Sequence, residues 1–267
     1  GFGASIDVLS PEPARVTPWR STVLRRGQIF RISLDGTALS CYLAIAGGFD
    51  LDPCLGSLST YTRAGLGGFQ GRTLIAGDEL PLVLSSASDS EDVRLPKPEA
   101  FSLQRPIRIT WGMQRDYFTD ESLARFVTEP FSILPESDRM GYRIAGSKIE
   151  HQRGYDIVSD GIATGAIQVP GTGNPIVLLA DHQTTGGYPK IATVISADLP
   201  ALGRRKPGQE IRFEVIEVEE AERIRRDREK ALCRLEASLE PIKSDVELDL
   251  DALYGNNLIS GAVGIEE

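Results

Sequence analysis

Histidine, cysteine and methionine are scarce in this chain of 267 residues: it has 2 His, 3 Cys and 2 Met. Two histidines, His151 and His182, are too few for a His-rich zinc site, and no ligand spacing replaces them. Cys41, Cys54 and Cys233 are odd in number, widely spaced and without a CxxC pair, so they read as reduced thiols. Positive charge is also in deficit, 29 Lys and Arg against 38 Asp and Glu, a formal net charge of −9. No basic stripe interleaved with aromatics offsets that balance, so nucleic acid is not an expected partner. No apolar run approaches the roughly 20 residues that span a bilayer, and no membrane association is expected. The opening GFGASIDVLS has neither the basic nor the apolar region of a secretory signal, and the expected location is cytoplasmic. There is no Gly-Lys-Ser/Thr step of a phosphate-binding loop and no GxSxG elbow.

What is present is an ordinary globular composition, 41% hydrophobic and 25% charged, with substantial core-forming capacity. Short strand-like runs are punctuated by Gly and Pro. Arg26-Gly27-Gln28 leads into Ile29–Ile32, Ala76-Gly77-Asp78 into Leu80–Leu84, and Pro207-Gly208-Gln209 into Ile211–Val215. A Gly-polar step thus opens a strand three times. Leu39–Ala46, nearly continuous in apolar residues, reads as a strand buried on both faces. This pattern predicts a barrel or sandwich rather than a βαβ fold.

Ser85–Lys97 is polar and acidic and is the expected linker. Thr119 is placed to cap a short helix running to Thr128, with Ser122 at the capping-box position and Pro130 as the stop. Ala221–Leu239 reads as one long helix with a stripe of Ile224, Ala231, Leu232, Leu235 and Leu239, a Glu222/Arg226 pair, and Pro241 as its stop. Its simple reading is a charged surface helix; docking to a partner is the alternative. An extended acidic tail is expected from Ser244 on.

The richest segment is Gly165–Ile191, GAIQVPGTGNPIVLLADHQTTGGYPKI. It sets Gln168, Asp181, His182, Gln183, Thr184, Thr185 and Lys190 among apolar strands and five glycines. Such a mixture suits a pocket rim, where bare backbone approaches a ligand and polar side chains orient it. A cation such as Lys190 would serve a carboxylate, phosphate or developing oxyanion, and Asp181 would accept a proton or hold Lys190. In Glu136–Arg143, Arg139 and Arg143 would clamp an anion if locally helical, or Asp138 would pair with Arg143. The Gly/Ser tract from Gly47 to Gly71 either cradles phosphate through its amides or simply turns.

Several segments resemble one family: YLAIAGGFD (42–50), LGSLSTYTRAGLGGFQGRTLIAGDEL (55–80), ITWGMQRDYF (109–118), SDRMGYRIAG (137–146) and Gly154–Leu199. They are similar to the carboxyltransferase family that includes allophanate hydrolase subunit 2, the C subunit of ATP-dependent 5-oxoprolinase and the carboxyltransferase domain of urea carboxylase. The resemblance implies a mainly β fold of two linked cyclophilin-like β-barrel subdomains with the site between them. The expected division is 1–97, 98–218, and a helix and tail at 219–267. Family members carry a further segment ahead of the point matching Gly1–Ser5, with a Gln-Asp-Leu-Gly-Arg type motif, so the first barrel is expected to be incomplete. Position 182 is His where the family frequently has Arg.

The implied activity is that of a subunit acting on a small amide or urea-like substrate. The activator is ATP, used with a partner subunit, or carboxybiotin on another chain, since no Ala-Met-Lys-Met-like motif occurs here. The 5-oxoprolinase type is preferred by family analogy, in which a free-standing member without carrier or biotin carboxylase domains is expected to be of that type. The implied partner has a related fold, like allophanate hydrolase subunit 1 or the B subunit of 5-oxoprolinase. On this reading Lys190 stabilises charge and Gln168, Gln183, Thr184 and Thr185 orient substrate. Arg139 and Tyr142 contact a substrate carboxylate or the partner, and Asp138 or Asp181 is the base. The competing reading is a non-catalytic protein that antagonises a kinase inhibitor, as some relatives are described.

Overall fold

The computed structural model describes residues 3–36, 39–87, 91–96 and 105–242. Most of its regular structure lies after residue 105. There, β5 (Ile107–Trp111), β6 (Phe131–Ile133), β7 (Gly141–Ala145), β9 (Ala166–Gln168), β10 (Ile176–Leu178), β12 (Lys190–Val194), β13 (Glu210–Ile211) and β14 (Phe213–Val215) form one sheet. Its order is β13-β6-β7-β10-β9-β12-β5-β14. The two edge strands, β13 and β14, are separated in sequence only by Arg212. Opposite edges of an eight-stranded sheet therefore lie within one residue of each other, which requires the sheet to curl into a near-closed barrel. Two-residue strands β8 (Asp160–Gly161) and β11 (Thr185–Gly186) pair outside it.

Inside the curl sit Ile107, Ile109, Phe126, Phe131, Ile144, Ile167, Val177, Ile191, Ala192 and Phe213, all nearly or fully inaccessible. Phe126 stacks on Phe213 with centroids 4.7 Å apart, and Phe131 packs at 5.6 Å from Phe126. Such aromatic contacts add about 0.5–1.5 kcal/mol each to plain burial. Phe126 comes from α1 (Asp120–Thr128), capped as expected by Thr119, whose hydroxyl accepts from Ser122 N at 3.2 Å. Ser122 does not return a capping-box bond. Its buried hydroxyl instead accepts from Glu150 N at 2.8 Å and ties the helix to the following loop.

Before residue 97 the chain is different. β1 (Ala4–Ser10) pairs antiparallel with β2 (Ala14–Val16) and β3 (Ile29–Leu34) in a small sheet, and β4 (Val93–Arg94) pairs with β15 (Glu240–Pro241). Gly27 and Gly208, at φ +85° and +84°, make the turns that open β3 and β13 as expected. The third such step does not open a strand: Leu80–Leu84 is irregular, with one isolated bridge from Leu82 to Phe49. Leu39–Ala46 is no buried strand either, for Tyr42 is 94% exposed and the run has no ladder. An apolar run becomes a strand only where a neighbour supplies its hydrogen bonds, and among the described residues none does. The expected linker contains β4 and is held by Ser21 N donating to Val93 O.

Two further helices come late in the chain, one between β12 and β13 and one after β14. α2 (Leu199–Leu202) is one turn. α3 (Val218–Ala237) is the long helix foreseen in the sequence, starting three residues earlier than expected and burying no residue. The Glu222/Arg226 pair is present at 3.4 Å, and Arg228 fastens the helix to the carbonyls of Ser196 and Ala197. No helix among the described residues is long and apolar enough to cross a membrane.

Asp198, wholly buried, locks β5 to the turn before α2. It accepts from Arg108 N at 2.9 Å and from the Arg108 guanidinium at 2.6 and 3.0 Å, with Arg105 at 2.9 Å. Burial works against its charge, but these donors outweigh burial and hold its carboxyl below the usual carboxylate range. Because folding lowers this pKa, its stabilisation is complete at neutral pH and is lost as pH falls through the folded value. Asp198→Asn is expected to cost ~3 kcal/mol at pH 7 and to flatten the acid limb of stability, read by urea unfolding at pH 7 and 4. Equal stability of variant and wild type at pH 7 would refute this role.

Candidate functional site

Regular alternation would send Lys190 into the core. Ala192 opposes Ile167 and Trp111, and Val194 opposes Ile109, so these positions of β12 face the barrel interior. A residue two places before Ala192 belongs on the same face. Instead Lys190 opposes Gln168, the neighbour of Ile167 and therefore on the outer face. One extra residue, Ile191, is accommodated between Lys190 and Ala192. This is a β-bulge, which reverses the direction of the side chains before it. Ile191 keeps its own side chain in the core.

Gly112 makes room for the bulge. Its N–H donates to Ile191 O at 2.8 Å, and a Cβ there would stand 2.1 Å from Lys190 O. Two residues on, Gln114 Oε1 accepts from Lys190 N at 3.3 Å, just before a 3-10 turn at Arg115–Tyr117.

The outer face at this point is covered, not open. β8 and β11 lie over it, and Gln168 and Lys190 are only 2% and 8% exposed. Lys190 Nζ lies 3.0 Å from Asp160 Oδ2. That approach is close but poorly aligned, so the ammonium has an ionic neighbour and no well-directed hydrogen bond among the described residues. Lys190 and the Gly161 amide hold the Asp160 carboxyl below its ordinary pKa. Gln168 Oε1 faces Gln183 Nε2 at 3.5 Å, at the outer limit of a hydrogen bond. Gln168 Nε2 has no partner and rests against the bare Cα of Gly186, where a Cβ would be 2.6 Å away. Two buried donors sit on directly opposed residues, both underused, and the one carboxylate at hand reaches only Lys190. That arrangement is suited to accept a ligand oxygen carrying negative charge.

The structure gathers Lys190, Gln168 and Gln183 of the residues singled out from sequence. Thr185 stands beside them in β11, opposite Gly161, and Thr184 contributes its carbonyl to Ile162 N. The remaining residues form a second group. Asp181 takes a bidentate pair from Arg139 at 2.8 and 2.9 Å. Asp138 pairs with Arg63 of the Gly/Ser tract and accepts from Met140 N and Gly141 N. Burial opposes ionisation of Asp138, but Arg63 and the two amides prevail and lower its pKa. Residues 139 and 143 do not share a helix: Arg143 lies in β7, and no clamp forms between them. Tyr142 is buried, with its hydroxyl directed to the carbonyls of Gly203 and Arg205, and burial raises its pKa. His182 contacts Thr164 Oγ1 at 3.1 Å at the exposed end of the loop.

Asp160 and Gln114 were not found from sequence. Each is remote from Lys190 along the chain, and nothing in its immediate neighbours marks it. The only signal available was the run of polar residues at 159–161 interrupting an apolar stretch.

A curled sheet with a covered polar layer on its outer face defines a β-barrel protein. The comparisons make the class specific. Residues 2–215 match the family described as carboxyltransferase domain, subdomain A and B, and the chain belongs to that family. It is 38% identical over 227 residues to the 5-oxoprolinase C subunit of Haemophilus influenzae, covering 85% of this chain and 72% of that protein. It is 30% identical to the urea amidolyase of Lachancea kluyveri, covering 84% of this chain but 14% of that protein. The structure of the K. lactis urea amidolyase superposes with a TM-score of 0.74 at 24% identity, over 90% of this chain and 16% of that one. That likeness shows the fold.

The bulge yields a test. Gly112→Ala is expected to destabilise the protein by about 1–3 kcal/mol, because the added methyl meets backbone rather than a yielding side chain. A melting temperature unchanged within a degree would show that the bulge does not depend on this glycine.

Proposed function

We propose that this chain is a subunit of an amide-hydrolysing enzyme of the 5-oxoprolinase type, and that Lys190 stabilises negative charge developing on a substrate oxygen. The observation carrying this reading is the buried ammonium beside the unpartnered Gln168 amide on directly opposed strand positions. A carbonyl oxygen that becomes anionic gains most from donors already fixed and shielded from water. Gln168 and Gln183 orient the amide plane, and the backbone at Thr184, Thr185 and Gly186 forms the wall. The second group, Arg139 with Asp181 and Arg63 with Asp138, is the proposed contact for a substrate carboxylate or the partner subunit. Asp138 and Asp181 are the proton acceptors proposed for that group.

The donor set fits the oxygen of an amide or ureido group. It also fits a second reading, a carboxyltransferase that receives carboxybiotin on another chain, favoured by the similarity to urea amidolyase. The sequence has no phosphate-binding loop, so the nucleotide of the first reading is assigned to a partner subunit of related fold. When bound, either activator supplies a transferable phosphoryl or carboxyl group. This chain's residues bind the substrate, hold its oxygen against Lys190 and exclude water beneath β8 and β11.

Co-expression with the candidate partner and assay of ATP-dependent 5-oxoproline consumption tests the reading. Lys190→Ala is expected to lower kcat at least about 100-fold, with the melting temperature within a few degrees of wild type. Full activity in that variant would remove Lys190 from the chemistry. A stable complex without turnover of either substrate class would favour the binding-protein reading instead.

A further inference from the structure

The segment from Gln152 to Ile162 crosses the site as a strap. It is anchored at one end by Gln152 Nε2 donating to Asp116 O at 2.9 Å and by the Arg153–Asp116 pair. At the other end are the two-residue ladder of β8 with β11 and the bond from Ile162 N to Thr184 O at 3.0 Å. Between these, Ile157 N donates to Gly187 O at 2.8 Å. Val158 is 92% exposed and Tyr155 53%. The strap thus covers a buried polar layer through few backbone bonds and little apolar contact, a combination that opens at low cost.

Its inward charge is Asp160. The two members of the Asp160–Lys190 pair are unequally buried, with side chains 50% and 10% exposed. Removing Asp160 returns a half-solvated carboxylate to water, whereas Lys190 remains fixed on the bulge. The covered site also has an imbalance: Lys190 Nζ and Gln168 Nε2 lack well-formed hydrogen bonds, and Asp160 reaches only the first. A free carboxylate has two oxygens and is not restrained by the strap backbone, so it can serve both donors at once.

We propose that Asp160 is an internal stand-in for the ligand: its carboxylate occupies Lys190 in the closed site, and a planar carboxylate-class anion displaces it as the strap lifts. The other charged groups near this pair are few. The neutral side chain of Gln114 also supports the Asp160 carboxylate, and the ion pairs Arg153–Asp116 and Arg139–Asp181 are each already satisfied. The inference rests on the proposed role of Lys190 as an anion site, but not on the identity of the reaction.

The test is therefore a binding measurement. Acetate is titrated into the isolated chain at constant ionic strength with chloride as the balancing ion, and followed by calorimetry. Asp160→Asn is expected to bind acetate about three- to tenfold more tightly than wild type, because the internal competitor is gone. In Asp160→Asn/Lys190→Gln the gain is expected to vanish. Hydrogen exchange in the peptide 152–162 is expected to quicken in Asp160→Asn and, on addition of acetate, in wild type. Acetate affinity unchanged by Asp160→Asn, or a gain that survives loss of Lys190, overturns the proposal; Asp160→Ser gives the same readout should the Asn variant misfold. Failure of the 5-oxoproline assay alongside the expected acetate result would discard the reaction and keep the competitor. Turnover without any acetate effect would do the reverse.

Discussion

The single extra residue in β12 is the constraint on which the site depends. Bonding between β12 and β9 continues through the bulge, yet Lys190 and Ala192 face opposite sides of the sheet. With strict alternation the ammonium would enter the core beside Ile167, Ala192 and Val194, where it would be desolvated without a partner. Gly112 allows the adjoining backbone to approach Lys190 O, and Gln114 then caps the Lys190 amide. Local backbone geometry, rather than any long-range charge, decides where the cation points.

The rest of the molecule shows how unevenly packing is distributed. The connected core cluster lies wholly between Ile107 and Phe213, and before residue 97 only Val8 and Val16 are buried hydrophobics among the described residues. The irregular Gly/Ser tract is fixed by hydrogen-bonded turns, with Gly67 and Gly71 so close to the backbone of Ser59 and Gly65 that a side chain would clash. It meets the barrel through the Arg63–Asp138 pair and a 4.0 Å contact from Tyr61 to Met140. Exposed ion pairs of this kind contribute about 0–1 kcal/mol each. Positioning of the Lys190 layer therefore comes from the barrel, and the tract touches the barrel at the separate Asp138–Met140 turn.

Sequence was a good guide where the determinants were local. Thr119 and Pro130 bracket α1, the Gly27 and Gly208 turns open strands, and a charge-rich run marks α3. Gln168 and Lys190 stood out because a polar residue inside an apolar strand needs a reason. Asp160 and Gln114 did not, since they reach Lys190 only through the barrel's closure. The bulge was also invisible: no Gly or Pro in Lys-Ile-Ala-Thr-Val marks it, and the extra residue appears only in the register with β9. Leu39–Ala46 failed for a related reason, because apolar content alone does not provide the strand that must pair with it.

The polar layer under the strap is poorly explained as a device for stability. Burying an ammonium is costly, and one misaligned contact to a half-exposed carboxylate returns only part of that cost. A leucine or methionine at position 190, with an apolar residue at 168, would fill the same outer face without leaving donors unsatisfied. The bulge places the cation where packing alone would not, and Gly186 leaves bare backbone against the free amide of Gln168. Asp198 makes the contrast: it is buried too, but it receives four well-formed bonds from two arginines and joins β5 to the turn before α2. One buried charge is saturated and structural. The other is held under-satisfied beneath a lightly anchored cover, which is the condition a binding group needs before its ligand arrives.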